Sequence, residues 1–417
     1  LSSTTHRLDQ YRPAPPATDI IRHRALNRII INFAVGFGVF LLGFVMSEPA
    51  PYEIYMAGLI VVALLFGLRL SRTSLVLLAI FVMFNFGGVI SAMQMADLKK
   101  APLYIAVSLF LAFTTVFYTA VIEADYRRLK VIFNAYTLVG IVVSLLGIAG
   151  YLNLFPGADI FTRYGRAQGA FQDPNVYGPF LILPLSWAAY RILTGRMRNA
   201  LFYLPVLILL LTGVLFSFSR AAWAMVPLAF GVIVFVLFLH TNSDRFRLRL
   251  IIVSLLVLVT AVIALLIIVQ IPGIGDFLLE RAQKQSYDTD RMGRFARHWY
   301  GFLLSMQHPL GIGPLEFGPI FGEDTHNNWL KAALDYGWIG FVSFMTLILL
   351  TLGLGLRLLF RNRPWQPFLL CAYATFLGHV LIGNVIDTDH WRHFYLLFGI
   401  IWGCAGLEYR HMRQQRI

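Results

Sequence analysis

A chain of 417 residues that is 58% hydrophobic and only 13% charged, with a mean hydropathy of +0.70, lacks the polar surface that a soluble globule of its size needs. Its formal charge of +13 raises nucleic acid as a partner, but the basic residues are scattered between apolar runs rather than gathered in one patch. Two cysteines, Cys371 and Cys404, both inside apolar runs, indicate neither a disulfide framework nor a thiolate metal site.

Residues 1–27 are polar, basic and proline-bearing and read as a cytoplasmic tail rather than a cleavable signal. Twelve apolar runs follow, at 28–46, 54–70, 73–94, 101–122, 131–151, 175–194, 199–217, 221–240, 250–271, 336–356, 365–386 and 391–408. Their lengths suit helices crossing about 30 Å of hydrocarbon, and weak period-two alternation argues against a β-barrel. The expected fold is an all-α polytopic membrane protein. Nine helices fill 28–271 with a loop at 152–174, a large loop spans 272–335, three helices fill 336–408, and 409–417 form a second tail.

An even number of spans puts both termini on one side. About two-thirds of the Lys and Arg fall there, so the positive-inside rule makes that side cytoplasmic. The loops at 152–174 and 272–335 then lie outside, in the periplasm of a Gram-negative source. The positive charge is explained by topology, and nucleic acid drops out as a partner. Most of the few basic residues left outside cluster at Arg163, Arg166, Arg220, Arg281, Lys284, Arg291, Arg294 and Arg297. Kept against the positive-inside bias, they mark a task.

In chain order, Arg163 and Arg166 precede Asp173-Pro174-Asn175, a sequence that starts a helix with Asp173 as cap and Pro174 at the first position. Arg220 lies in Ser217-Phe-Ser219-Arg220-Ala-Ala-Trp223, a tight outer hairpin. An arginine there either snorkels to headgroups or faces a cavity. Residues 290–299 have helical spacing: Arg291, Arg294 and His298 share a face, with Phe295, Trp299 and Phe302 as an apolar stripe for an interfacial helix. Headgroup binding is one reading of those arginines; a diphosphate, whose oxygens match the guanidinium fork, is the sharper one.

His308-Pro-Leu-Gly311-Ile-Gly313-Pro314 reads as an ordered turn with a structural histidine. Asp324-Thr-His326-Asn327-Asn328-Trp329 opens a further helix, with His326 near its N-terminus. That location is expected to depress the imidazole pKa and favour the neutral form that a general base requires. Asp387, Asp389, His390 and Arg392 in the last outer turn either line the same cavity or form an ordinary polar hairpin. There is no Walker-type loop, His-Glu-x-x-His or Gly-x-Ser-x-Gly, so neither nucleotide, cofactor nor metal is expected.

His326-Asn327, nine residues, then Gly337-Trp-Ile-Gly340 resembles the signature of the bacterial O-antigen ligase family. The His308-Pro-Leu-Gly-Ile-Gly-Pro turn, the Ser-x-Ser-Arg around Arg220 and Gly-x-Phe-x-Asp-Pro-Asn at 169–175 are similar to the wider O-antigen ligase/polymerase superfamily. The resemblance runs from about residue 160 onward. It implies a GT-C-like fold in the inner membrane and transfer of a glycan from undecaprenyl diphosphate to a sugar hydroxyl of lipid A-core, with membrane lipids as surroundings.

On that reading His326 is the general base of an inverting displacement. Arg220 and Arg291, then Arg163, Arg166 and Arg294, hold the leaving diphosphate, while Asn327 and Asp389 contact substrate. A covalent glycosyl-enzyme through Asp389 is the competing mechanism. The alternatives are an O-antigen polymerase, a protein O-oligosaccharyltransferase and a lipid-glycan transporter. The last is disfavoured because ionisable groups collect at one face and no repeat is visible.

Overall fold

The computed structural model describes residues 17–98, 100–283 and 293–415. The chain forms helices α1 (Ala17–Leu41), α2 (Pro51–Leu65), α3 (Arg72–Ala92), α4 (Ala101–Ala124) and α5 (Arg128–Tyr151) before the 152–174 loop. That loop carries the two-residue strands β1 (Thr162–Arg163) and β2 (Arg166–Ala167), paired antiparallel. Helices α6 (Pro174–Phe180), α7 (Ile182–Thr194), α8 (Met197–Phe216), α9 (Arg220–His240), α10 (Asp244–Val269) and α11 (Ile274–Ala282) follow. Beyond residue 293 come α12 (Arg294–Gln307), α13 (Phe317–Phe321), α14 (Asn328–Asp335), α15 (Gly337–Leu359), α16 (Gln366–Ile382) and α17 (Arg392–Gln414).

Helix occupies each of the twelve expected runs, which makes this a helical polytopic membrane protein. Among the described residues, seven helices, and α6 with α7 taken as one, are long and apolar enough to cross a bilayer, and three more stretches, Leu26–Leu41, Pro51–Leu65 and Gln366–Ile382, are apolar but shorter. The shortfall against twelve has local causes. Helix α2 stops at Leu65, just before Gly67 at φ +78°, α16 stops at Ile382, just before Gly383, and Arg410, His411 and Arg413 make the end of α17 polar. The expected single helix at 175–194 is divided at Leu181 into α6 and α7. Pro184 has no amide to give the Phe180 carbonyl; the Tyr136 hydroxyl donates to that oxygen instead, at 3.1 Å.

Helix α10 is apolar nearly all round, with Leu250 as its one buried residue. A helix like this needs an apolar solvent on every side, as a bilayer provides. At the opposite extreme, α17 is buried along most of its length against α4, where Thr115 donates to the Tyr395 carbonyl at 3.0 Å.

Three glycines, Gly87, Gly337 and Gly340, allow the close backbone packing beneath the His326 segment. Gly340 on α15 meets Gly87 on α3 so closely that a β-carbon at 87 would lie 2.7 Å from the Gly340 nitrogen and 2.4 Å from the Tyr336 carbonyl oxygen. Gly337 adopts φ +65°, with the Leu310 backbone 2.7 Å from where its β-carbon would be, so only glycine fits. The Pro309 carbonyl accepts from the Trp338 amide at 2.9 Å and the Leu334 carbonyl from the Ile312 amide at 2.9 Å. The expected ordered turn after His308 is thereby fastened to the α14–α15 joint.

Candidate functional site

Asn327 caps α14: its Oδ1 accepts from the Trp329 and Leu330 amides at 3.0 and 3.2 Å. Its Nδ2 donates to the Asn384 carbonyl at 3.1 Å, so both ends of the amide are engaged inside the protein. Asn328 does the same one residue on, donating to the Thr388 hydroxyl at 2.5 Å and accepting from the Thr388 amide at 2.9 Å. These bonds dock the 383–390 turn against the start of α14.

His326 precedes the cap with φ +50°, in the left-handed region that costs a non-glycine residue about 1–3 kcal/mol. Its Nδ1 faces Asp387 Oδ2 at 3.0 Å and its Nε2 faces Glu323 Oε1 at 3.2 Å. Burial opposes the imidazolium, but the hydrogen bonds and charges of Asp387 and Glu323 outweigh it and raise the pKa above its ordinary value. The expected depression by the helix N-terminus is overturned. A helix end contributes about 0.3–1 kcal/mol, whereas each charged hydrogen bond contributes about 1.5–3.

Glu323 in turn pairs with the buried Arg297 at 2.5 Å. Desolvation would raise its pKa, yet His326 and Arg297 together hold it below the usual range. Helix α12 thus grips the His326 segment through Arg297. Its Phe295, Trp299 and Phe302 are exposed, as expected of an interfacial helix.

Lys331, one turn into α14, is the centre of a second, deeper cluster. Its Nζ lies 2.9 Å from Asp324 Oδ2, 3.8 Å from Asp387 Oδ2 and 3.9 Å from Asp389 Oδ1, and over the Tyr104 ring at 5.7 Å. Burial penalises its charge, but Asp387, Asp389 and Asp324 together hold it firmly protonated. Asp389 also accepts from the Tyr104 hydroxyl at 2.7 Å and faces His390 Nδ1 at 2.7 Å. Its burial is overcome by Lys331 and His390, which hold the carboxyl well below the usual range. Asp335, buried and facing the same carboxylates, is pushed the other way, toward the neutral acid.

The arginines form a separate group. Arg166 is buried, donating from Nε to the Ser217 carbonyl at 2.8 Å and from Nη2 to Asn175 Oδ1 at 2.7 Å. Asp173 and Pro174 start α6 as expected, Asp173 Oδ1 accepting from the Asn175 amide at 2.7 Å. Arg163 is exposed and donates to the Gln172 carbonyl at 2.6 Å. Arg220 opens α9 in the hairpin whose Ser219 caps that helix, and Ser217 donates to the Val214 carbonyl at 2.6 Å. The 152–174 loop and the Arg220 hairpin are therefore joined, with Phe277 of α11 stacked edge-on against Phe218 at 4.7 Å.

Arg294 sits at the first position of α12, and Arg291 lies outside the described residues. Among the described residues no group of three or more His, Cys, Asp or Glu is arranged to hold a metal ion. Sequence reasoning passed over Lys331, Glu323 and Tyr104. Lys331 did leave a trace, as a lysine four residues before Asp335 in an otherwise apolar turn; Tyr104, on a distant helix, left none.

Residues 205–345 match a family model described as O-antigen ligase. No match to a curated protein accompanies it. The matched stretch contains Arg220, Arg297, Glu323, His326 and Lys331 and supports activity of the O-antigen ligase/polymerase superfamily, that of a membrane glycosyltransferase-like enzyme with lipid-linked glycan and lipid acceptor as partners.

Proposed function

We propose that the protein is an O-antigen ligase that transfers a glycan from undecaprenyl diphosphate to a sugar hydroxyl of lipid A-core at the periplasmic face of the bacterial inner membrane, with both termini cytoplasmic. The observation that carries this reading is His326, strained into a left-handed backbone and held by Asp387 on Nδ1, within the stretch that matches the ligase model.

In the proposed reaction the acceptor hydroxyl takes the place of Glu323 at His326 Nε2. The imidazole accepts its proton, the oxygen attacks the anomeric carbon, and the carbon–oxygen bond to the diphosphate breaks with its electron pair leaving on phosphate. Configuration inverts. Asp387 stabilises the imidazolium that forms, as a carboxylate behind a catalytic histidine does. Arg220 and Arg291, supported by Arg163, Arg166 and Arg294, take the growing negative charge of the leaving group, an interaction stronger in the transition state than before it. The prenyl diphosphate carries its own activation, so transfer is proposed to need neither nucleotide nor metal. Asp389, committed to Lys331, Tyr104 and His390, supports the site rather than acting as nucleophile.

The test is to mix purified protein with undecaprenyl-diphosphate glycan and lipid A-core and compare wild type with His326→Ala by gel mobility of the lipopolysaccharide. Product from wild type alone is expected. Product from both removes His326 as the base, and elongated prenyl-linked chains instead of capped lipid A-core would make the protein a polymerase. Retained stereochemistry would replace direct displacement by a covalent intermediate.

A further inference from the structure

At the end of the bundle remote from His326, α3, α15 and α17 enclose a cavity of about 430 Å³, within the range of about 300–1,000 Å³ typical of small-ligand sites. Helix α15 has 23 residues, which at about 1.5 Å each sets its two ends roughly 34 Å apart. The cavity therefore belongs to neither the His326 cluster nor the arginine hairpin.

Leu350, Leu354 and Trp402 give the cavity an apolar wall, and Arg72, Arg357 and Arg361 line it as well. All three arginines are exposed and none forms a salt bridge with a carboxylate among the described residues, although the charge of Arg361 is felt by Glu408. The acids at this end are already committed: Glu408, which also lines the cavity, is held by Arg363 in a two-pronged pair at 2.6 and 2.9 Å, and Glu123 by Arg410 at 3.4 Å and the Ser71 hydroxyl at 2.8 Å.

We propose that this groove binds an anionic phospholipid, with an acyl chain against Leu350, Leu354 and Trp402 and the phosphate among Arg72, Arg357 and Arg361. The chemistry selects the ligand. An apolar trough between membrane helices admits a chain that free phosphate lacks, and three guanidinium groups repel the cationic half of a zwitterionic headgroup while matching phosphate oxygens. The inference stands apart from the proposed transfer reaction, because it uses none of the residues assigned to it.

The experiment is native mass spectrometry of the full-length protein, stripped of lipid in detergent and then given phosphatidylglycerol or phosphatidylcholine in equal amounts. Preferential retention of phosphatidylglycerol, undisturbed by millimolar inorganic phosphate, is expected. The triple variant Arg72→Gln, Arg357→Gln, Arg361→Gln should lose about fivefold in retention per arginine removed. Leu354→Trp, which fills the trough and leaves all three charges, should also lose the lipid, and it carries the test if the triple variant does not fold. Equal retention of the two lipids, displacement by phosphate or unaltered binding in Leu354→Trp would overturn the proposal. So would an equal loss on Arg245→Gln with Arg249→Gln, exposed arginines at the start of α10.

Discussion

Among the described residues, the two halves of the site offer their cations different kinds of oxygen. Around the hairpin, Arg166 and Arg163 are gripped by the carbonyls of Ser217 and Gln172 and the amide of Asn175. Around His326, Arg297 and Lys331 are gripped by Glu323, Asp324, Asp387 and Asp389. Neutral oxygens orient a guanidinium without cancelling its charge, whereas carboxylates cancel charge and shift proton affinities. On the reading proposed above, the hairpin half holds the anion and the carboxylate half moves the proton.

The division breaks most visibly at its reacting atoms. His326→Ala should lower transfer by about 10²–10⁴-fold, the usual contribution of a general base, measured as initial rate with both lipid substrates. Arg220→Ala should cost about 10²–10³-fold in kcat. Arg220→Lys should recover little of it, because an ammonium cannot reproduce the fork. A lysine that restored full activity would show that charge alone matters at the hairpin.

Lys331→Met tests the carboxylate half through stability. Removing one partner of a buried charge cluster costs about 3–5 kcal/mol, read as a fall in unfolding free energy in detergent. The sign with pH follows from Asp389, whose carboxyl is held below its unfolded value. Its stabilising contribution is present at neutral pH and is lost as pH falls through the folded pKa. Lys331→Met leaves only His390 and Tyr104 to hold that carboxyl down, so the contribution shrinks and acidification should destabilise the variant less than wild type.

Glu323→Gln sharpens the contrast further. The raised pKa of His326 puts the acidic limb of kcat/KM above the ordinary histidine value, and removing one of its two carboxylates should move that limb to lower pH. An unmoved limb would mean that a group other than His326 titrates. The smallest effect is expected from backbone alone: His326→Gly, relieved of the left-handed strain, should be more stable than His326→Ala by about 1 kcal/mol.

Hydropathy exposed the twelve long apolar runs, because lipid exposure demands continuous apolar stretches, as α10 demonstrates, and passed over the short helices α11 and α13. It overestimated span lengths at the far ends of α2 and α16, which stop at Leu65 and Ile382 beside Gly67 and Gly383. His326 and the Gly337-x-x-Gly340 pair were visible as a pattern, but the crossing of Gly340 with Gly87, which leaves no room for a β-carbon at 87, involves a helix some 250 residues away. The pKa of His326 was misjudged for the same reason: its helix is local in sequence, while Asp387 is 61 residues distant. Local order was legible and convergent charge was not.

Tyr104, Ser91 and Gly87 lie before the matched stretch 205–345, and Asp387, Thr388 and Asp389 lie after it. Yet Tyr104 and Asp389 complete the Lys331 cluster, Ser91 accepts from the Gly313 amide at 3.0 Å, and Asp387 holds His326. The stretch that carries the family likeness is therefore not a portable module. Excised or grafted onto another bundle, it would bring its histidine without the aspartate behind it, and circular permutants should tolerate new ends in the exposed loops far better than fragments tolerate separation.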